Sequence, residues 1–223
     1  MLKLKNISKS FQQRENVLNC LDLQVMEGES ISIMGPSGSG KTTLLNIIGL
    51  LDKPDSGEIL FRGKSLLNYN PEESSAYRNR NIGFVFQEHH LLPYLTVYEN
   101  IILPALAFPH SSEEIDAIEK HISELMERIG IISLSGKYPF QISGGEAQRA
   151  AIVRSLVNTP SLLLADEPTG ALDSKNGEIL GDVLLEMNRE TGVALIIATH
   201  SQALASKMSR RLMLEDGKLL ASE

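Results

Sequence analysis

The sequence predicts an α/β fold: a P-loop core, an N-terminal antiparallel β layer and an inserted helical sub-domain. Three observations carry this expectation. Residues 35–43 read Gly-Pro-Ser-Gly-Ser-Gly-Lys-Thr-Thr, between an apolar run at Ile31 and Ile33 and a helical apolar pattern at Leu44, Leu45, Ile47, Ile48 and Leu51. Further short apolar runs end abruptly in polar residues, as parallel strands do where their carboxyl ends open on a ligand crevice. Between two such runs Ile115, Ile118, Ile122, Leu125, Met126 and Ile129 recur at helical spacing, which marks an amphipathic helix over residues 113–129.

Taken in order, Leu2, Leu4 and Ile7 alternate with polar residues, as do Leu21, Leu23 and Val25. The pattern predicts two half-buried antiparallel strands joined by a polar tip at residues 12–16. Phe11 precedes that tip, and its ring reads equally as a cover for the core or as a platform for a planar base. In the phosphate loop, Gly35, Gly38 and Gly40 remove the Cβ atoms that would hold backbone N–H groups away from phosphate oxygens. Pro36, Ser37 and Ser39 complete the loop, and Thr43 continues into the helix whose positive end faces the same anion. Lys41 adds a full charge for the β and γ phosphates, and Thr42 offers its hydroxyl to a bound Mg²⁺. A turn cluster at residues 52–57, a strand at 58–61 and a turn at Gly63 finish the β layer.

Residues 82–86 (Ile-Gly-Phe-Val-Phe) form a buried-type strand with Gln87 at its tip, from which an amide reaches a ligand. From Glu88 the chain is apolar but broken by proline. Residues 88–155 are therefore assigned to the helical sub-domain, leaving 1–87 and 156–223 as the P-loop NTPase core of a single domain. Ser143-Gly144-Gly145-Glu146 opens another helix: the Ser-x-x-Glu spacing is a capping box, while paired glycines suit a backbone approached closely by phosphate. Both readings can hold together. Residues 162–165 are a continuous apolar strand ending in Asp166 and Glu167, adjacent carboxylates that are costly unless a cation is near. Because successive strand side chains point opposite ways, Asp166 is expected to bind Mg²⁺ through water and Glu167 to act as general base toward an attacking water. Residues 193–198 are a further buried strand tipped by Thr199 and His200, and residues 212–220 form a hairpin centred on Asp216 and Gly217. Strand tips delivering Lys41 and Thr42, Gln87, Asp166 and Glu167, and His200 make one site more economical than four coincidences. The remaining histidines (His89, His90, His110 and His121) receive no role.

A formal net charge of −7 and a pI near 5.3 speak against a nucleic-acid surface, and no nucleic-acid partner is expected. Cys20 is the only cysteine, so no internal disulfide can form. The first residues alternate rather than build the apolar core of a secretion signal, and no stretch reaches the ~18 apolar residues of a membrane helix. The expectation is a cytoplasmic protein that meets a membrane only through a partner.

Assembled, these residues resemble the ATP-binding subunits of ABC transporters along essentially the whole chain. Residues 35–42 resemble Walker A, Gln87 the Q-loop, residues 142–146 the signature, residues 162–167 Walker B, Ala171-Leu172-Asp173 the D-loop and His200 the H-switch. Residues 83–93 and 96–100 look most like the lipoprotein-release and macrolide-export (LolD/MacB) branch, and the cell-division FtsE branch is similar there. The resemblance implies the ABC ATPase fold, ATP hydrolysis, ATP and Mg²⁺ as cofactors, and Thr42, Gln87 and Asp166 at the metal. It implies a head-to-tail homodimer in which Ser143, Gly144 and Gly145 of one copy touch the γ-phosphate held by the other, with Glu146 in the same nucleotide-binding turn. It further implies adenine stacking on Phe11, where Tyr is more usual, and an integral membrane permease subunit that holds the chain peripherally on the inner face of the cell membrane. The signature departs from Leu-Ser-Gly-Gly-Gln at Ile142 and Glu146. Export or lipoprotein release is the implied output, and the alternative is a regulatory ATPase that signals through a membrane partner without transport. A soluble P-loop kinase would have no use for a signature acting in trans.

Overall fold

The computed structural model describes residues 1–11, 14–109 and 111–221. The polar tip expected at residues 12–16 falls partly outside that set, at Gln12 and Gln13, as does His110. The chain opens with β1 (Leu2–Phe11) and β2 (Arg14–Val25), then enters the core as β3 (Ser30–Met34) and α1 (Lys41–Ile48). It returns to the first layer as β4 (Ser56–Phe61) and β5 (Lys64–Ser65). These outer strands pair antiparallel in the order β2-β1-β4-β5, with Leu2 opposite Val25 on one side and Phe61 on the other.

Next come α2 (Pro71–Asn81), β6 (Ile82–Val85), α3 (Val97–Ile102), α4 (Ser112–Arg128) and α5 (Gly144–Leu156). The chain closes with β7 (Leu162–Asp166), α6 (Ser174–Thr191), β8 (Ala194–Ala198), α7 (Gln202–Ser206), β9 (Arg210–Glu215) and β10 (Lys218–Ala221). The second sheet runs β10-β9-β3-β8-β7-β6; its strands are parallel except for the antiparallel edge pair β9 and β10. The expected hairpin at residues 212–220 is this edge pair.

Strands buried on both faces read as continuous apolar runs, and the period of two then divides them between two cores. On one face Ile31, Ile33, Leu162, Leu164, Ala194 and Ile196 meet Leu44, Ile47 and Ile48 of α1 and the outer β layer. On the other, Leu163, Ala165, Leu195 and Ile197 meet Val97 and Ile101 of α3, Ile122 and Met126 of α4, Val153 of α5 and Leu184 of α6. Burying each such side chain contributes about 1.5–3 kcal/mol.

Helix starts are fixed by side chains. Asn70 with Glu73, Thr96 with Glu99, Ser111 with Glu114 and Ser143 with Glu146 all form reciprocal capping boxes, and Asp173 and Ser201 accept from the first turns of α6 and α7. The helix that begins at Lys41 differs: its cap is Gly40, and no side chain caps it. It also ends earlier than its apolar pattern suggested, at Ile48, with Gly49 at its cap and Leu51 outside it and exposed. A Cβ on Gly49 would lie 2.0 Å from the Phe84 ring, so the helix end rests directly on β6. The 18-residue α6 escaped the sequence reading because Gly177 and Gly181 interrupt its apolar spacing; Asp173 at its start and Gly192 at φ 70° beyond its end were the usable signals.

Gly83 of β6 lies so close to α5 that a Cβ there would come within 2.4 Å of the Ser155 carbonyl oxygen. Gly83→Ala is expected to destabilise the fold by about 1–3 kcal/mol, read as a lower urea midpoint at unchanged slope. Gly136→Ala, whose Cβ meets nothing within 4 Å, is the control and should stay within ~0.5 kcal/mol of the parent.

Candidate functional site

The parallel strands β3, β6, β7 and β8 all end on one edge of the sheet, and the loop between β3 and α1 folds over that edge. Its shape needs glycine. Gly35 (φ 150°) and Gly40 (φ 107°) adopt backbone that disfavours a side chain, and neither has room for one. A Cβ on Gly35 would lie 2.4 Å from the Leu214 carbonyl oxygen of β9, and one on Gly40 would lie 2.9 Å from that of Val17 in β2. Ser39 N–H donates to the Pro36 carbonyl at 3.1 Å and closes the turn.

Lys41 is 6% exposed and donates Nζ hydrogens to the carbonyls of Gly35 (2.9 Å) and Pro36 (3.2 Å). Nζ also lies 3.3 Å from His200 Nε2. The same Nε2 is 3.2 Å from Glu167 Oε1, while the His200 backbone N–H donates to Glu167 Oε2 at 3.2 Å. The start of α1 and two strand tips thus meet at one imidazole nitrogen. The carboxylate can only accept and the ammonium can only donate, so a hydrogen on Nε2 goes to Glu167, and a bare Nε2 accepts from Lys41. Buried Oε1 lies 3.2 Å from Nε2 without forming a hydrogen bond and has no hydrogen-bond partner among the described residues.

One expectation needs correction. Asp166 is the last strand residue, in register with Ala198, but Glu167 has left the strand and adopts φ 47° while its N–H still bonds the Ala198 carbonyl at 2.9 Å. The different orientations of the two carboxylates therefore come from a left-handed turn at Glu167 rather than from strand alternation. A non-glycine residue held there costs on the order of 1–3 kcal/mol, a form of strain that clusters at working sites.

Phe11 stands at the end of β1, 46% exposed, with Lys9 Nζ 5.1 Å from its ring centre. With Val17, Gly38, Gly40, Lys41, Thr42 and Thr43 it lines a cleft of about 260 Å³. Gln87 is exposed beyond β6, and a Cβ on Gly170 would be 3.3 Å from its Nε2; Gly170 N–H in turn donates to the Glu167 carbonyl at 2.9 Å. The segment after Gln87 is split: Leu91 and Val97 join the core, whereas Leu92 is 50% and Tyr94 90% exposed. Fully buried Asn100, which sequence reading passed over, holds this segment through the carbonyls of Leu92, Leu95 and Thr96.

Ser143 to Glu146 stand on α5, which packs on β6, α3, α4 and α6, whereas α1 packs on β7 and β8. The two glycine-bearing helix starts thus belong to different parts of the chain. Glu146 Oε2 accepts from Ser143 N–H at 2.8 Å and from Ser143 Oγ at 2.7 Å, and these bonds, the backbone one foremost, hold its carboxyl below the usual carboxylate range. Its own N–H is directed at Ser143 Oγ at 3.3 Å. With no side-chain hydrogen and its amide directed at Ser143 Oγ, Glu146 braces the turn at Ser143, the turn in which the sequence reading expects it beside nucleotide.

The residues suit a nucleotide with its metal. Buried Ser39 Oγ has no partner among the described residues, the loop holds glycines where a Cβ would collide, and Thr42, Asp166 and Gln87 are the hard oxygen donors that magnesium prefers. Among the described residues no helix is long and apolar enough to cross a membrane.

Comparison with known proteins agrees with this geometry. The ABC transporter family profile matches residues 18–170. The lipoprotein-releasing system ATP-binding protein LolD of Syntrophus aciditrophicus is 44% identical over 223 residues, covering 99% of each chain. Its namesake from Myxococcus xanthus is 41% identical over 222 residues, covering 98% of each. Among solved structures, the dimeric bacterial ABC transporter cassette MJ0796 superposes with a TM-score of 0.88 at 40% identity, over 100% of this chain and 98% of that one. The same cassette in a dimeric post-hydrolysis state with ADP and Pi gives 0.85 over the same shares. A glycine-capped phosphate loop, a carboxylate and a histidine brought to it by neighbouring strand tips, and full-length similarity to such cassettes lead to one conclusion: the chain belongs to the ABC transporter family, as one of its ATP-hydrolysing cassettes.

Proposed function

We propose that two copies of this chain close head to tail around two ATP molecules and drive a separate integral membrane subunit in lipoprotein release. The carrying observation is the meeting of Lys41, His200 and Glu167 at one point beside a helix start that no side chain caps. Uncapped N–H groups of α1, with Lys41, receive the phosphates, and Phe11 offers its ring to the adenine. A magnesium ion held by Thr42, Asp166 and Gln87 would neutralise phosphate charge. Glu167 takes the proton of the attacking water, and His200, whose backbone N–H donates to Oε2 and whose Nε2 lies 3.2 Å from Oε1, holds the carboxylate in place.

The pairing is supported by the placement of the signature turn. Ser143, Gly144 and Gly145 start a helix that packs away from α1, so within one chain this second anion-binding turn belongs elsewhere; a second copy supplies the phosphate. The membrane partner is supported by the relatives, which belong to lipoprotein-releasing systems, and by the exposed Leu92 and Tyr94 beside Gln87. Residues 88–155 act as the helical unit that carries this surface, and the chain sits peripherally on the inner face of the membrane. The full chain, purified with its membrane subunits, should release a lipoprotein from vesicles on adding ATP; ATP consumption with no release would favour the signalling alternative.

Glu167→Gln is expected to lower phosphate release by about 10²–10⁴-fold while ATP binding persists, trapping a dimer on a sizing column. Turnover at the parent rate would remove the base assignment. Lys41→Ala should weaken ATP binding about 10- to 100-fold, measured by titration calorimetry. Glu146→Gln, which removes a negative charge and loosens its hold on the Ser143 hydroxyl, should tighten ATP-dependent pairing up to about fivefold in the Glu167→Gln background, read by light scattering.

A further inference from the structure

We infer that Gln148 and Arg154 are positioning residues that clamp the Gln87 segment to the signature helix, so that Gln87 and the turn at Ser143 move as one piece. The inference rests on the reading of Gln87 as a residue that contacts bound nucleotide and metal. Gln148, 3% exposed, donates Nε2 to the Phe86 carbonyl at 2.6 Å, immediately before Gln87. Arg154, in the last turn of α5, donates from its two terminal nitrogens to the His89 carbonyl at 2.7 Å and the His90 carbonyl at 2.9 Å. Gln87 is thus bracketed on both sides by backbone that α5 holds.

The bracket is built rather than incidental. Successive carbonyls of an extended segment point to opposite sides and do not meet one guanidinium. His90 departs from extended backbone, with φ 46°, and both oxygens reach the planar fork of Arg154. His89 Nδ1 accepts the Leu91 N–H at 3.0 Å, and the His90 ring meets Phe86 edge-on with centres 5.4 Å apart. Burial, which lowers the pKa of Arg154, places its bonds in surroundings where water competes weakly. The close approach of Gly83 to Ser155 presses the same helix onto β6, the strand that leads to Gln87. A pull on Gln87 by its own nucleotide is therefore passed along α5 to Ser143, the turn offered to the other copy.

The test is a double-mutant cycle on ATP hydrolysis by the full chain, using Arg154→Lys and Arg154→Ala, each alone and with Gln87→Ala. Thermal midpoint and ATP binding serve as controls for folding and for the P-loop. Arg154→Lys keeps the stem and the charge but loses the fork, so it decides the matter if Arg154→Ala fails to fold. The expected result is a fall in kcat of about 3- to 30-fold with KM changed less than about twofold, and little further loss once Gln87 is already alanine. Unchanged kcat in Arg154→Lys, or losses that multiply fully with that of Gln87→Ala, overturns the clamp while leaving Gln87 its role. Unchanged turnover in Gln87→Ala alone removes the reading of Gln87, and the clamp with it.

Discussion

Bringing several backbone N–H groups to bear on one polyphosphate is the constraint on which the rest of this structure depends. It demands a loop without side chains, and the loop is kept in shape from outside. The Leu214 carbonyl of β9 presses on Gly35 and the Val17 carbonyl of β2 presses on Gly40. Both sheets therefore converge on the same few residues, and the edge hairpin is anchored as well, through Asn19 N–H and the Gly217 carbonyl at 2.9 Å. Parts of the chain remote in sequence have a structural stake in the phosphate loop.

The chemistry is delivered by strand tips. Parallel strands in one register end together, so Lys41, Glu167 and His200 need no long loops to meet. What they need is rigidity, and the two-sided apolar core supplies it. Against that rigid frame the left-handed turn at Glu167 can be held, aiming the carboxylate at His200 instead of letting it relax into water.

Other helix starts follow a different rule. α2, α3, α4 and α5 begin with reciprocal caps, each making an end that satisfies itself locally. Ser143 to Glu146 uses the same device at a place where two glycines leave the backbone bare, so the side-chain atoms that stabilise the turn are not the backbone it leaves open. Helices α3, α4 and α5 meet the parallel sheet through buried apolar side chains, and α5 also holds the chain just beyond β6 through Gln148 and Arg154.

By itself the sequence determined the phosphate loop, the buried strands and their polar tips, because these depend on local spacing: glycines where a backbone must be bare, period two in strands, a carboxylate or histidine after an apolar run. It also determined the capping box at Ser143, whose partners are three residues apart. Tertiary structure alone decided the rest. The left-handed turn at Glu167, the choice of His200 Nε2 as the meeting point, the burial of Leu91 beside the exposure of Tyr94, and the reach of Arg154 to the carbonyls of His89 and His90 all join residues distant in the chain. The early end of α1 at Gly49 was set by the Phe84 ring, and α6 was hidden by glycines that make room for neighbours such as Leu204. Contacts of that kind follow from how the elements pack against one another, which no spacing along the chain records.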